Sequence, residues 1–138
     1  MNRLEGKVVI ITGASGGLGK KMALRFAQEG AKLAICARRE KKLQETKDLC
    51  QQAGAQVLAM VADVSHHDEL KAFVEKTAET FGTIDVLVNN ASTISAPHPF
   101  LEHTINDLEE ALHSGLYGTW QMMQLCFPYM KEHGGSII

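Results

Sequence analysis

The chain has 138 residues, 45% of them hydrophobic, and a formal net charge of −2 at pH 7. That supplies one hydrophobic core, and so balanced a charge argues against a nucleic-acid partner. The longest apolar runs fall far short of a membrane span, and the opening Met-Asn-Arg-Leu-Glu-Gly is too polar for a signal peptide, so a cytoplasmic, non-membrane protein is expected.

Residues 7–19 read K-V-V-I-I-T-G-A-S-G-G-L-G. Val8, Val9, Ile10 and Ile11 make an unbroken apolar run, the signature of a strand buried on both faces of a parallel sheet. Glycines then crowd the turn before an amphipathic segment. A strand, a glycine-rich turn and a helix N-terminus make a cradle for a phosphate, because the backbone can approach closely and unpaired N–H groups face the anion. Gly13, Ser15, Gly17, Leu18 and Gly19 are the candidates there, Leu18 through its backbone N–H. The alternative is a tight turn that only returns the chain. The spacing Gly-x-x-x-Gly-x-Gly differs from the Gly-x-Gly-x-x-Gly of many dinucleotide folds, and no Gly-Lys-Ser/Thr follows to make a Walker loop.

The first helix is predicted over residues 17–29, with Leu18, Met22, Ala23, Phe26 and Ala27 on one face and Gly30 as its stop. A second strand spans 32–37 and a second helix 40–53, with Leu43, Thr46 and Cys50 inward and Gly54 after it. The third strand is 56–62, followed by Asp63-Val64-Ser65. In the third helix Leu70, Phe73, Val74, Thr77 and Phe81 keep helical spacing up to Gly82. A fourth strand, 84–88, leads through Asn89-Asn90-Ala91-Ser92 into a proline-stiffened loop at 92–103, long enough for a binding role. One long helix is then predicted over 106–132, with Leu108, Ala111, Leu112, Gly115, Leu116, Thr119, Met123, Cys126 and Met130 at 3–4 spacing. Every helix but this last is read as closed by a glycine. The chain ends Gly-Gly-Ser-Ile-Ile, a turn and the first residues of a fifth strand. Such alternation predicts a Rossmann-type doubly wound parallel sheet in an α/β/α sandwich. We expect a single domain, 1–138, whose fifth strand is only begun, the front part of a longer protein.

In such a unit the residues after strand two approach the adenosine ribose, where an acid favours NAD and an Arg accommodates the 2′-phosphate of NADP. Here that strand ends Cys36-Ala37-Arg38-Arg39 without an acid. Two guanidiniums can bind a phosphate that an acid would repel, so NADP is expected over NAD. Asp63 could bond the adenine amino group or cap its own turn. Cys36, Cys50 and Cys126 are too scattered for a motif and read as buried free thiols. His66-His67-Asp68 reads as a solvated loop before a helix, and no metal site is assigned.

Together these residues resemble the short-chain dehydrogenase/reductase family. Its Thr-Gly-x-x-x-Gly-x-Gly turn is matched by Thr12, Gly13, Gly17 and Gly19; its Asp-Val after strand three by Asp63-Val64; its Asn-Asn-Ala-Gly after strand four by Asn89, Asn90 and Ala91, with Ser92 in place of the glycine. Ala37-Arg38 is similar to a pair common among the family's NADP users. The resemblance places Asp63 and Val64 at the adenine and Asn90 and Ala91 at the cofactor, and implies homo-oligomers through the long helix. It also implies a catalytic Ser after strand five and a Tyr-x-x-x-Lys on the next helix, the Lys lowering a tyrosine pKa that is otherwise about 10. No such catalytic residue is found: Tyr117 is followed four positions on by Gln121 and Tyr129 by His133. The family's Asn on the long helix, three positions before a Gly, is replaced by Gly115, beside Ser114.

Two functions are therefore expected. One is an NADP-dependent oxidoreductase acting on a small-molecule carbonyl or secondary alcohol, with the catalytic residues beyond residue 138. The other is a non-catalytic dinucleotide-binding module, whose Met122, Met123, Phe127 and Met130 either meet a partner or pack on the chain's own sheet.

Overall fold

The computed structural model describes residues 2–94 and 96–138; Ser95, in the loop expected to have a binding role, lies outside them. Five parallel strands make one sheet: β1 (Val8–Thr12), β2 (Lys32–Ala37), β3 (Val57–Val61), β4 (Val86–Val88) and β5 (Ser136–Ile137), in the order β3-β2-β1-β4-β5. β1 is central. It pairs with β2 in the register Ile10↔Ala34 and with β4 in the register Ile10↔Leu87. The order reverses between β1 and β4, and in open α/β sheets such a reversal opens a crevice at the carboxyl ends of the strands.

Alternation along the strands builds the two cores. Ile10, Ala34, Cys36 and Leu87 face one side, against Leu70, Phe73 and Val74 of α3 (His67–Phe81) and Met122, Cys126 and Met130 of α5 (Gly118–Met130). Val9, Ile11, Leu33, Ile35 and Val88 face the other, against Ala23 and Ala27 of α1 (Gly17–Gln28) and Leu43 and Cys50 of α2 (Glu40–Gln52). The α/β/α sandwich follows from strands that are apolar on both faces, each large side chain contributing about 1.5–3 kcal/mol on burial. Strand four is shorter than its apolar run predicts. Asp85 lies just before its ladder, and its carboxylate accepts the Val8 N–H at 2.8 Å, tying the start of β1 to the start of β4.

The long helix departs most from expectation. It is divided into α4 (Ile105–Ala111), a π-helical turn (Leu112–Tyr117) and α5. The Ser114 hydroxyl donates to the Glu110 carbonyl at 2.9 Å, drawing on an acceptor of the ladder, and Gly115 favours a regular helix least. The extra residue in the π turn shifts the phase. Ser114, Gly118, Met122, Cys126 and Met130 are buried, whereas Leu108 and Leu116 lie outside. Met122 and Met130, expected either at a partner or on the sheet, pack on the sheet, and Phe127 faces outward. This helix too is followed by a glycine: Gly134 has φ +79° and donates its N–H to the Met130 carbonyl at 2.8 Å.

Candidate functional site

At the carboxyl end of β1 the glycine turn is locked from below. The Thr12 hydroxyl oxygen accepts the N–H of Asn90 at 3.1 Å and that of Ala91 at 3.0 Å. The Asn90 amide donates in return to the Thr12 and Gly13 carbonyls, both at 3.1 Å. These four bonds join the ends of β1 and β4 across the reversal point. They leave no room for side chains: a β-carbon on Gly13 would come 2.8 Å from the Ala91 Cα, and one on Gly19 would come 2.5 Å from the Asn90 amide nitrogen.

Above the latch lies a cleft of about 250 Å³. Gly13, Ser15, Arg38, Arg39, Asp63, Val64, Asn90 and Ala91 line it, so four segments far apart in sequence converge there. Gly17, Leu18 and Gly19 are not in its wall. They form the first turn of α1, where Leu18 projects into solvent and Gly19 is buried over Gly13. Gly16 begins α1 with no side-chain cap, and the first turn carries no acid, so its N–H groups remain available to an anion. α4 is the contrast: there Thr104 and Asp107 close the N-terminus as a reciprocal capping box.

Cations sit opposite that helix end. The Arg39 guanidinium donates to the Ser15 hydroxyl at 3.2 Å, arching over the glycine turn, and Arg38 stands beside it at the end of β2. Asp63 has a local role in its turn, since one carboxylate oxygen accepts the Ser65 N–H at 2.9 Å. Its own N–H donates to Glu69 at 2.7 Å, and this bond first, then His66, holds the Glu69 carboxyl below its ordinary pKa. Val64 sets the floor. A β-carbon on Gly118 would come 2.9 Å from the Val64 carbonyl oxygen, which is why the buried stripe of α5 begins with a glycine.

From the sequence, Ser114 or a water is the candidate to fill the role of the family's helix Asn, which Gly115 cannot supply. Ser114 is buried and lines the cleft, and its hydroxyl accepts the Thr93 N–H at 2.8 Å while donating to Glu110. With its single proton committed to a carbonyl, it clasps the loop after β4 to the helix. At Gly115 a β-carbon would meet nothing within 4 Å, so packing does not require glycine there. Thr93 borders a second, more apolar cavity of about 580 Å³, walled by Ile94, Phe100, Leu101, Ile105 and Leu108. The hydrogen-bonded latch and the Ser114 clasp escaped the sequence reading because each joins residues about 20 to 80 positions apart.

Burial pushes the thiol pKa of Cys36 up to about 12, of Cys126 to about 12 and of Cys50 to about 11. At neutral pH all three are protonated and therefore poor nucleophiles.

Comparison with known proteins agrees with this geometry. The family model for the short chain dehydrogenase matches residues 7–138. The 12alpha-hydroxysteroid dehydrogenase of Clostridium sp. is 38% identical over 145 residues, covering 100% of this chain and 56% of that protein. The 11-beta-hydroxysteroid dehydrogenase-like 4A of Arabidopsis thaliana is 37% identical over 137 residues, covering 99% and 46%. Among solved structures, levodione reductase matches with a TM-score of 0.92 at 33% identity, over 98% of this chain and 54% of that one. NAD+-bound xylitol dehydrogenase matches with a TM-score of 0.92 at 27% identity, over 98% and 52%. The chain spans about half the length of the relatives it matches.

Proposed function

The chain belongs to the short chain dehydrogenase family, whose model matches residues 7–138, and on that footing we propose that its cleft holds NADP and that the whole protein is an oxidoreductase. The observation that carries the cofactor choice is the end of β2, where Arg38 and Arg39 line the cleft and the strand's tip carries no acid. When bound, the nicotinamide supplies or accepts a hydride, and a carbonyl or secondary alcohol is the substrate of this reading.

The chain's own residues bind and orient. The open N–H groups of α1 and the close-approach glycines receive the pyrophosphate. Arg38 and Arg39 receive the 2′-phosphate through charge-assisted bonds. The Asp63 oxygen not engaged by Ser65 accepts from the adenine amino group, and Val64 packs beside it. Asn90 and Ala91 position the turn from below and border the route to the apolar cavity. That cavity fits a substrate with hydrophobic bulk, and two relatives are named for hydroxysteroids. Buried, unpaired thiols suit the cytoplasm, and among the described residues no helix is long and apolar enough to cross a membrane.

Binding of NADPH and NADH, followed by fluorescence titration, tests the cofactor choice. NADPH is expected to bind on the order of ten- to a hundredfold more tightly, the worth of one or two charge-assisted bonds. R38D should abolish that preference. Equal affinities in the unmodified protein would remove the role given to Arg38.

One observation favours a second reading, a dinucleotide-binding module without turnover. Both tyrosines lack a lysine four positions on, and both project from the outer side of the helix. NADPH binding without oxidation of NADPH across a panel of hydrophobic ketones would favour the module, and turnover would exclude it.

A further inference from the structure

Outside the cleft, one cluster of titratable groups has no part in the reading above. His98, between Pro97 and Pro99, precedes a short 3-10 turn (Phe100–Glu102); His103 follows that turn, and Asp107 lies in the first turn of α4. One ligand atom from each of the three lies within 4.8 Å of the others. The imidazole centroids of His98 and His103 are 4.4 Å apart, with the rings tilted at 52°. A second observation is independent of this proximity. The Nε2 of His98 is buried and has no hydrogen-bond partner, an arrangement that loses the nitrogen's solvation and returns nothing.

We propose that His98, His103 and Asp107 bind one divalent cation of the borderline class, with zinc as its representative. Two imidazoles and one carboxylate are ligands of that class, whereas magnesium and calcium take oxygen. Tetrahedral ligands about 2.0–2.1 Å from zinc stand ~3.3 Å from one another, so the three side chains need to close by at most about 1.5 Å, within reach of rotations about their side-chain bonds. Asp107 keeps its capping function during this. One of its oxygens accepts the Thr104 N–H at 2.7 Å and the Thr104 hydroxyl at 2.9 Å and also stands 3.9 Å from the His103 Nδ1, so a small rotation of the carboxylate would present the other oxygen to the metal. Those two bonds, with smaller contributions from His103 and His98, hold the carboxyl below its ordinary pKa and keep it ionised. The neutral imidazole is the form that ligates a metal, so binding releases any proton the rings carry. His103 and Asp107 both line the apolar cavity, so the cation would staple its proline-stiffened rim to α4 and fix its width.

The test uses purified protein freed of any affinity tag and stripped with a chelator. Zinc chloride is titrated in competition with a chromophoric chelator, and cobalt(II) absorption gives a second readout. About one equivalent should bind with a micromolar or tighter Kd, and H98A and H103A should each weaken it by about tenfold or more. H66A/H67A, which removes the other histidine pair, should change nothing, and excess magnesium should not compete. Both loop variants are checked by circular dichroism, and NADPH affinity should be the same in both. Absence of zinc binding at about 100 µM in the folded protein, or an affinity that survives both H98A and H103A, would overturn the proposal. Either result leaves the cofactor reading untouched, because no residue is shared.

Discussion

A β-carbon at position 19 would overlap the Gly13 carbonyl oxygen and crowd the Asn90 amide, whereas one at position 17 would meet nothing within 4 Å. The two glycines of the motif are thus required for different reasons. Gly19 is required by packing, and its replacement must push the latch apart. Gly17 is required by its backbone, with φ at +53°, where a side chain is strained but not obstructed. We expect G19A to destabilise the protein by about 2 kcal/mol or more, as overpacking of a rigid contact does, and G17A by about 1 kcal/mol, the cost of the left-handed region. Urea unfolding of both variants measures the difference, and equal losses would contradict the distinction. The glycine spacing was legible in the sequence because it is local. The partner that makes Gly19 necessary was not, since Asn90 comes from a strand end more than 70 residues away. The sequence reading placed Asn90 at the cofactor; it lines the cleft, and its amide bonds to the carbonyls of Thr12 and Gly13.

At the scale of elements, hydrophobic period located each helix but could not show the π turn. Period reports which side chains repeat, and both an unbroken helix and one with an inserted residue satisfy a 3–4 spacing over short stretches. The break is visible only in which residues are buried after it, and there Ser114 is decisive. Its hydroxyl holds the Thr93 N–H and the Glu110 carbonyl at once, joining the loop that separates the two cavities to the irregular turn. Ser114→Ala removes both bonds while adding no bulk. The amide of Thr93 should then exchange with solvent about fivefold faster, the kinetic equivalent of about 1 kcal/mol for one hydrogen bond. Amide exchange read by NMR checks this, with Val9 and Ile10 in β1 as unaffected internal references. Unchanged protection of Thr93 would mean that the loop is held by its other contacts. Leu116, which the 3–4 spacing places inward, lies within the π turn and is displaced to the surface.

For the whole molecule, that displacement decides what the outer face of the long helix offers. Leu116, Trp120 and Phe127 fall at i, i+4 and i+11 and are 57%, 59% and 56% exposed, forming one apolar stripe along the π turn and α5. The alternation of strands and helices, and hence the sandwich, could be read from the sequence, but this stripe could not. Met122 and Met130, open in the sequence between a partner and the chain's own sheet, pack on the sheet. A second copy of this chain is the occupant we expect, because an apolar helix face can pair with its own copy about a two-fold axis. Such helices pack with axes about 8–10 Å apart, and a net charge of −2 per chain offers little repulsion. A stable dimer needs about 800 Å² buried per copy, more than three side chains supply, so neighbouring exposed residues such as Tyr117 would have to join the contact. Sedimentation at about 10 µM, a concentration at which an interface of standard size is populated, should show a dimer or a higher oligomer. The double variant W120E/F127E should sediment as the monomer and still bind NADPH, since neither residue touches the cleft. A monomer in the unmodified protein would leave the stripe without a second copy, and a dimer that survives the double variant would place the contact elsewhere.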